Sequence, residues 1–364
     1  MTLTGARVCV IGAGAAGLSL ARALSSYDIE LSICDAGKAG QGAISAAAGM
    51  IAPGVEAAEA LDPAEARHRA FHALAVHSAR LWPDWSNALE TDSGMTTGYR
   101  RKGALVTGRS PDGLQNILKA AIAFGAAAEM ASDAPPLPGA DAIIFPDEAS
   151  LDARALAAAL ETAVRRAGVQ IHEGVAVDRL LETGGRISGV RFADGREQGA
   201  DIVIIAAGWA AARLHPALSG LEPVKGQALM LDAAQDVSHW PLIRGEGVYL
   251  APKPGGRVIV GASVEPGVSD RGVDALTRTS LLGMASALVA EVSGWRIIDH
   301  WAGVRPAFPD RLVRAGEVAP GLFVAAGAHR HGILLAPAIA EGLAAQIVSG
   351  SRDAHLAPFT PERG

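Results

Sequence analysis

Along the first third of the chain, short β-branched runs alternate with stretches whose apolar positions recur at helical spacing. Ala6–Ile11 (ARVCVI) reads as a buried strand, Ala15–Leu24 as a helix of strong helix formers, and Glu30–Cys34 (ELSIC) as a second strand. This βαβ opening leads into a small-residue loop, Ala36–Pro53. The pattern is helical from Pro63 to about Leu89, with His68, Phe71, Leu74, Ala75 and Ser78 on one side. A strand at Lys102–Val106 and a helix at Leu114–Phe124 follow. Pro135, Pro136 and Pro138 mark a linker or a surface crossing. Asp152 is placed to cap an amphipathic helix that runs to Ala167.

Strands dominate beyond it. Val169–His172, Val175–Leu181 and Ile187–Phe192 come first, the last two as a hairpin around Gly184-Gly185. Asp201–Ala206 (DIVIIA) is apolar almost throughout, as a central parallel strand should be. Val224–Leu231, Gly247–Ala251, Arg257–Ala262 and Trp295–Val304 form a strand-rich block, interrupted by a helix at Asp274–Val292. Gly321–Ala326 is a last buried strand and Pro337–Val348 the closing helix. The alternation predicts an α/β fold in which a Rossmann-type domain is assembled from separated segments and a second, antiparallel-sheet domain is inserted into it. There is no internal repeat.

Composition narrows the class. At 364 residues, 49% hydrophobic and 19% charged, the chain can bury a large core. Its net charge of −6, without Lys/Arg runs, argues against a nucleic-acid partner. The 43 glycines, with no repeat to absorb them, belong in tight turns and at close approaches to a ligand. Cys9 and Cys34 lie in apolar strands and read as buried free thiols, which excludes a disulfide framework. No secretory leader and no run near 18 apolar residues is visible, so no membrane span and a cytoplasmic location are expected.

Between the first strand and the first helix stands Gly12-Ala13-Gly14-Ala15-Ala16-Gly17. Gly12 permits the turn, Gly14 lets backbone approach a pyrophosphate, and Gly17 lets helix and strand pack closely. Asp35, ending the second strand, is placed to accept hydrogen bonds from an adenosine ribose. Together they predict dinucleotide binding. A late apolar strand ending in Ala206-Ala207-Gly208 favours FAD over NAD, as does Gly321–Pro337 (GLFVAAGAHRHGILLAP), a strand, a glycine turn and a helix start. Such a helix start suits an anionic reduced flavin. His68 and His72 have metal-like spacing but no third ligand nearby, and they read as one helix face rather than a metal site.

Ser45–Pro53 (SAAAGMIAP), Pro223–Gln227 (PVKGQ), Trp301–Pro306 (WAGVRP) and Gly332–Pro337 (GILLAP) occur in this order. With them the chain, from Val8 to about Ile347, resembles the D-amino-acid oxidase family of flavoproteins, and within it the glycine oxidase branch of the thiamin-pathway type. The resemblance implies non-covalent FAD and oxidation of a small amino acid or amine at its Cα–N bond, with O2 as electron acceptor. It also implies an FAD-binding domain at 1–90, 147–222 and 307–364, and a substrate-binding domain at 91–146 and 223–306. Ser45, Ala46, Ala47, Ala48, Gly49 and Met50 match the loop that lines the flavin ring, and Val177 a position whose main chain meets the adenine. Gly327, His329, Arg330, His331, Gly332 and Ile333 form the flavin turn. Tyr249 and Arg305 match groups that hold a substrate carboxylate, with Arg330 beside them.

Each of these has a second reading. Tyr249 packs in a sheet in one; Arg305 meets a structural carboxylate; Arg330 caps a carbonyl; His329 and His331 are proton-transfer groups or merely supporting ones. Where the family has a polar residue and an aromatic after the turn glycine, this chain has Ala328 and His329. Val264 replaces a larger residue over the substrate, and Arg311, Leu312 and Val313 replace Gly-x-Pro. The rival functions are a dehydrogenase of the same fold using a quinone or carrier protein, a non-catalytic FAD-dependent assembly factor, and a pyridine-nucleotide enzyme. Homo-oligomer formation is left open.

Overall fold

The computed structural model describes residues 3–361. Its first sheet has six strands in the order Arg314–Ala319, Leu322–Ala326, Ile202–Ile205, Ala6–Ile11, Ile29–Cys34 and Gln170–His172. All neighbouring pairs are parallel except the first. Ile202–Ile205 is buried at every position, which explains its unbroken apolar run. The helices Ala15–Leu24, Ala153–Arg166 and Ala336–Ser349 pack Leu18, Leu20, Leu156, Leu160 and Leu343 into one core with this sheet. Asp152 caps its helix as expected, accepting from the N–H groups of Arg154 and Ala155. Cys9 and Cys34 are buried and free.

The second large sheet is mixed and has nine strands. Its long centre is Glu222–Asp232, which pairs with Arg257–Gly261 on one side and Arg296–Ala307 on the other. Val248–Lys253 lies next to Arg257–Gly261, and Leu242–Gly245 beyond it. The proline cluster falls in the loop between Glu129–Ser132 and Asp141–Phe145, two further strands of this sheet. Val177–Thr183 and Arg186–Phe192 form the expected hairpin.

Several elements differ from the sequence reading. The segment read as the loop Ala36–Pro53 contains a short helix, Ala43–Ala46, and a two-residue strand, Met50–Ile51. Pro53–Ala60 is a helix, started by Pro53 at its first turn. The next helix, Ala66–Ser93, starts and ends a few residues later than expected and contains Pro83; Gly94, at φ 67°, ends it. The helix expected to reach Val292 stops at Leu288, followed by a 3₁₀ turn. Leu242–Gly245 and Arg314–Ala319 were not foreseen, being short and interrupted by Arg and Gly. No helix among the described residues is long and apolar enough to cross a membrane.

Candidate active site

A cavity of about 1180 Å³ runs from the glycine turn to the face of the second sheet, lined at one end by Gly12, Gly14 and Asp35 and at the other by Tyr249 and Arg305. It exceeds the roughly 300–1,000 Å³ of ordinary small-molecule sites. At the first end, Gly12 has φ 107°, and a Cβ there would overlap the Ala206 carbonyl. A Cβ on Gly17 would overlap the Gly12 carbonyl, so Gly17 serves helix–strand contact. A Cβ on Gly14 would meet nothing within 4 Å, because Gly14 faces the cavity. Gly14 also begins the helix and offers no side-chain cap, which leaves the first N–H groups for an anion. Asp35 is held by the N–H groups of Ala13 and Gly37, each 2.7 Å from a carboxylate oxygen. This end fits the pyrophosphate and ribose of a dinucleotide.

Ala15, Ala16, Val177, Ala207, Gly208, Ala46, Ala47, Ala48, Gly49, Met50, Gly327, His329, Arg330, Gly332 and Ile333 line the cavity as expected. Gly17 lies off the cavity in the helix–strand contact expected of it, and three other expected residues do not line the cavity. The Ala13 N–H is taken by Asp35, the Ser45 hydroxyl donates to the Gly42 carbonyl, and His331 lies behind the wall against Phe71 and Glu56. On the flavin turn, the first helical hydrogen bond runs from the Leu335 N–H to the His331 carbonyl. The N–H groups of Gly332, Ile333 and Leu334 therefore precede the ladder, two of them on cavity-lining residues. They suit the polar edge of a flavin.

The loop carrying Ala46–Met50 is clamped by the second sheet. The Trp301 indole donates to the Ala46 carbonyl (3.1 Å), and the buried Lys253 ammonium donates to the carbonyls of Ala48 and Leu151 (2.6 Å each). Burial pushes the Lys253 pKa down to about 7, with Arg100 adding to the effect.

At the far end, cross-strand pairing puts Arg244 opposite Tyr249, and Tyr249 opposite Gly261. The Tyr249 hydroxyl lies where a Cβ on Gly261 would be, and the Arg305 guanidinium lies over Gly226 in the same way. Two glycines thus make room for the two side chains. Among the described residues, Arg305 has no carboxylate within ion-pair distance; its only hydrogen bond is to the Ser263 carbonyl, at 3.3 Å. Burial lowers its pKa and raises that of Tyr249. A buried guanidinium without a counterion is costly and suits an incoming anion.

Four charged residues that sequence reasoning missed stand beside it. Glu56 pairs with Arg244 (3.0 Å) and with the Arg330 Nε (2.5 Å); Glu59 pairs with Arg244 and with Arg109 (2.8 Å). Burial works against the Glu56 charge, yet Arg244, Arg330 and His331 hold its carboxyl well below the usual range. Arg330 is thus tied to Glu56 rather than to a carbonyl. His329, at φ 47°, lines the cavity with a buried, unpartnered Nε2. Burial first, then the charges of His331, Arg305, Arg311 and Arg330, push its pKa to about 3. It stays neutral at working pH and does not store a proton. Val264 is exposed at the cavity rim and narrows it little. His68 and His72 take separate roles: His68 accepts from the Asp62 N–H, and His72 is buried beside Phe124.

A Rossmann-type cradle opening onto an unpaired arginine defines an oxidoreductase of the flavin type. The chain belongs to the DAO family of FAD-dependent oxidoreductases, whose sequence profile matches residues 7–346. It is 31% identical to the bifunctional protein ThiO/ThiG of Trichormus variabilis over 97% of this chain and 54% of that one, so it spans about half the length of that relative. It is 31% identical to the glycine oxidase of Geobacillus kaustophilus over 98% of this chain and 96% of the other. The crystal structure of a glycine oxidase from that organism superposes with a TM-score of 0.89 at 29% identity, covering 99% of both chains. The iminodiacetate oxidase of a Chelativorans species gives 0.86 at 27% identity, covering 98% of this chain and 99% of that one.

Proposed function

We propose that the protein oxidises a small amino acid of the glycine, sarcosine or D-amino-acid type at its Cα–N bond, giving an imino acid that hydrolyses to the oxo acid. The observation that carries this is Arg305: a buried guanidinium at the cavity end, seated over Gly226, with no carboxylate among the described residues within ion-pair distance. The similarity to glycine oxidases supports the same substrate class. Non-covalently held FAD would supply the two-electron redox chemistry, with O2 as the terminal acceptor and hydrogen peroxide as its reduced product.

The chain's own part is binding and alignment. Arg305 receives the substrate carboxylate in a two-point contact, and the Tyr249 hydroxyl donates to the same group. This fixes the Cα–H direction, and positioning supplies much of the barrier reduction. Glu56 holds Arg330 and Arg244 so that neither competes for the carboxylate. Neutral His329 adds no charge that would oppose loss of electrons from the amine. The substrate enters as the neutral amine, so no residue is needed as a general base.

Anaerobic mixing with glycine, sarcosine, D-alanine and L-proline tests the reading. Bleaching of the flavin by at least one of them, and stoichiometric peroxide on admitting air, is the expected result. Bleaching without peroxide would indicate a carrier-linked dehydrogenase. A flavin that no amine bleaches would leave the protein a cofactor-dependent assembly factor.

A further inference from the structure

A cluster of metal-ligating side chains lies outside the flavin cavity. His77, on the long helix Ala66–Ser93, meets Asp353 and His355 of the segment after the last helix. One ligand atom from each lies within 4.8 Å of the others, and all three residues are half-buried. The two imidazole rings stack, with centroids 4.2 Å apart and planes 4° from parallel. Neither ring donates a hydrogen bond to a protein acceptor among the described residues, and Asp353 is 3.7 Å from His355 Nδ1. Asp353 is fixed by its backbone: one oxygen accepts from the N–H groups of His355 and Leu356, leaving the other free.

We infer that His77, Asp353 and His355 bind a divalent transition-metal ion such as zinc, with water completing its shell, and pin the C-terminal segment to the long helix beneath it. Two imidazoles and one carboxylate from two separate elements are three of the donors such an ion takes, at about 2.0–2.2 Å each, with water in the fourth position. Closing on one ion requires the rings to splay from parallel and the donor atoms to move in by about 1 Å, within reach of rotation about χ1 and χ2. Asp353, held by two amides, corresponds to the oriented ligands of built metal sites. The pinned segment carries Leu356 and Phe359, both in the core, and Phe359 packs on Phe71 at 5.9 Å. Bound metal therefore stabilises the folded state specifically.

The test uses the flavin-loaded protein, freed of metal by chelator and titrated with zinc chloride by calorimetry and thermal melting. The expected result is one zinc per chain and a zinc-dependent rise in Tm. His77→Ala combined with His355→Ala should lower zinc affinity by more than the roughly 10–100-fold that groups behind a ligand are worth, and should abolish the Tm rise. Equal zinc binding by wild type and double variant overturns the inference, as does binding by neither. Cobalt(II) on the wild type gives a check that needs no variant. Tetrahedral ligand-field bands at wavelengths beyond the flavin support the site. Their absence, together with an unmoved Tm, sinks it.

Discussion

Arg305 and Asp35 stand at opposite ends of one cavity, and their substitutions should separate cleanly. If Arg305 holds the substrate carboxylate as proposed, Arg305→Ala leaves that charge unpaired, a loss of about 3–5 kcal/mol. At about 1.4 kcal/mol per tenfold, kcat/KM for carboxylated amines falls by two to three decades or more, while FAD binding is unchanged. Arg305→Lys recovers part of the loss, since it keeps the charge without the fork. Steady-state kinetics on an amine lacking a carboxylate supplies the control; equal losses on both substrates would make Arg305 a structural cation. Asp35→Ala should act on the cofactor instead. Losing a charged acceptor costs about 1.5–3 kcal/mol, or roughly 10- to 150-fold in the FAD dissociation constant, measured by flavin fluorescence. The change also frees the N–H groups of Ala13 and Gly37, which loosens the turn itself.

At the scale of elements, helix Pro53–Ala60 organises the substrate end. It carries Glu56 and Glu59, and its first N–H groups, from Gly54 and Val55, donate to Glu148 Oε1 (2.8 and 3.2 Å). Burial raises the Glu148 pKa from its ordinary 4.5 to about 8, against the opposing pull of those amides. The folded state therefore holds a proton that the unfolded state has released between these values, so stability falls as pH rises from about 4.5 to 8. Glu148→Gln keeps an acceptor for both amides and cannot ionise. Its melting temperature should be flatter over that range and should match or exceed that of wild type at pH 8. A variant that melts lower than wild type at pH 8 would show that the carboxylate is the favoured cap.

This helix also shows where the sequence stopped being readable. The glycine turn and Asp35 obey local spacing: one strand, one turn, one helix, and a carboxylate at the next strand end. Arg305 was legible through the Trp301–Pro306 motif that contains it, whereas Tyr249 came only from the family resemblance. Pro53–Ala60 sits in a run of small residues with no apolar period, between the loop expected to end at Pro53 and the helix expected from Pro63, so no element was assigned there and Glu56 and Glu59 went unread. Arg244 and Arg109 carry no local signal at all. Arg244 matters because a hairpin sets it opposite Tyr249, and Arg109 because helix packing brings Glu59 to it. Ser45 and His331 erred the other way: they lie inside a cavity-lining segment but point away from the cavity.

For the whole molecule, the cavity walls are mostly backbone and small side chains. Neither cysteine is placed to bond a flavin ring, since Cys9 is buried off the cavity and Cys34 lines it beside Asp35, at the end opposite Tyr249 and Arg305, and no histidine occurs from Ile44 to Met50. Acid precipitation should therefore release all the yellow colour to the supernatant, and added FAD should raise the melting temperature of the stripped protein. Colour that stays in the pellet would mean a covalent link.

The strand order of the first sheet bears on how the chain is made. Ala6–Ile11 lies between Ile29–Cys34 and Ile202–Ile205, and the latter's other neighbour is Leu322–Ala326. During synthesis from the N-terminus, the glycine turn leaves the ribosome early, but one flank of its strand stays open until residue 205 has been made. The next flank stays open until residue 326. At about 5–20 residues per second, apolar edges such as Val8–Ile11 wait for roughly ten seconds or more before they are covered. Pairings this remote close slowly and leave the nascent chain exposed to aggregation. The same order makes the dinucleotide cradle one of the last things the polypeptide completes, so flavin can be captured only by a chain that is nearly finished.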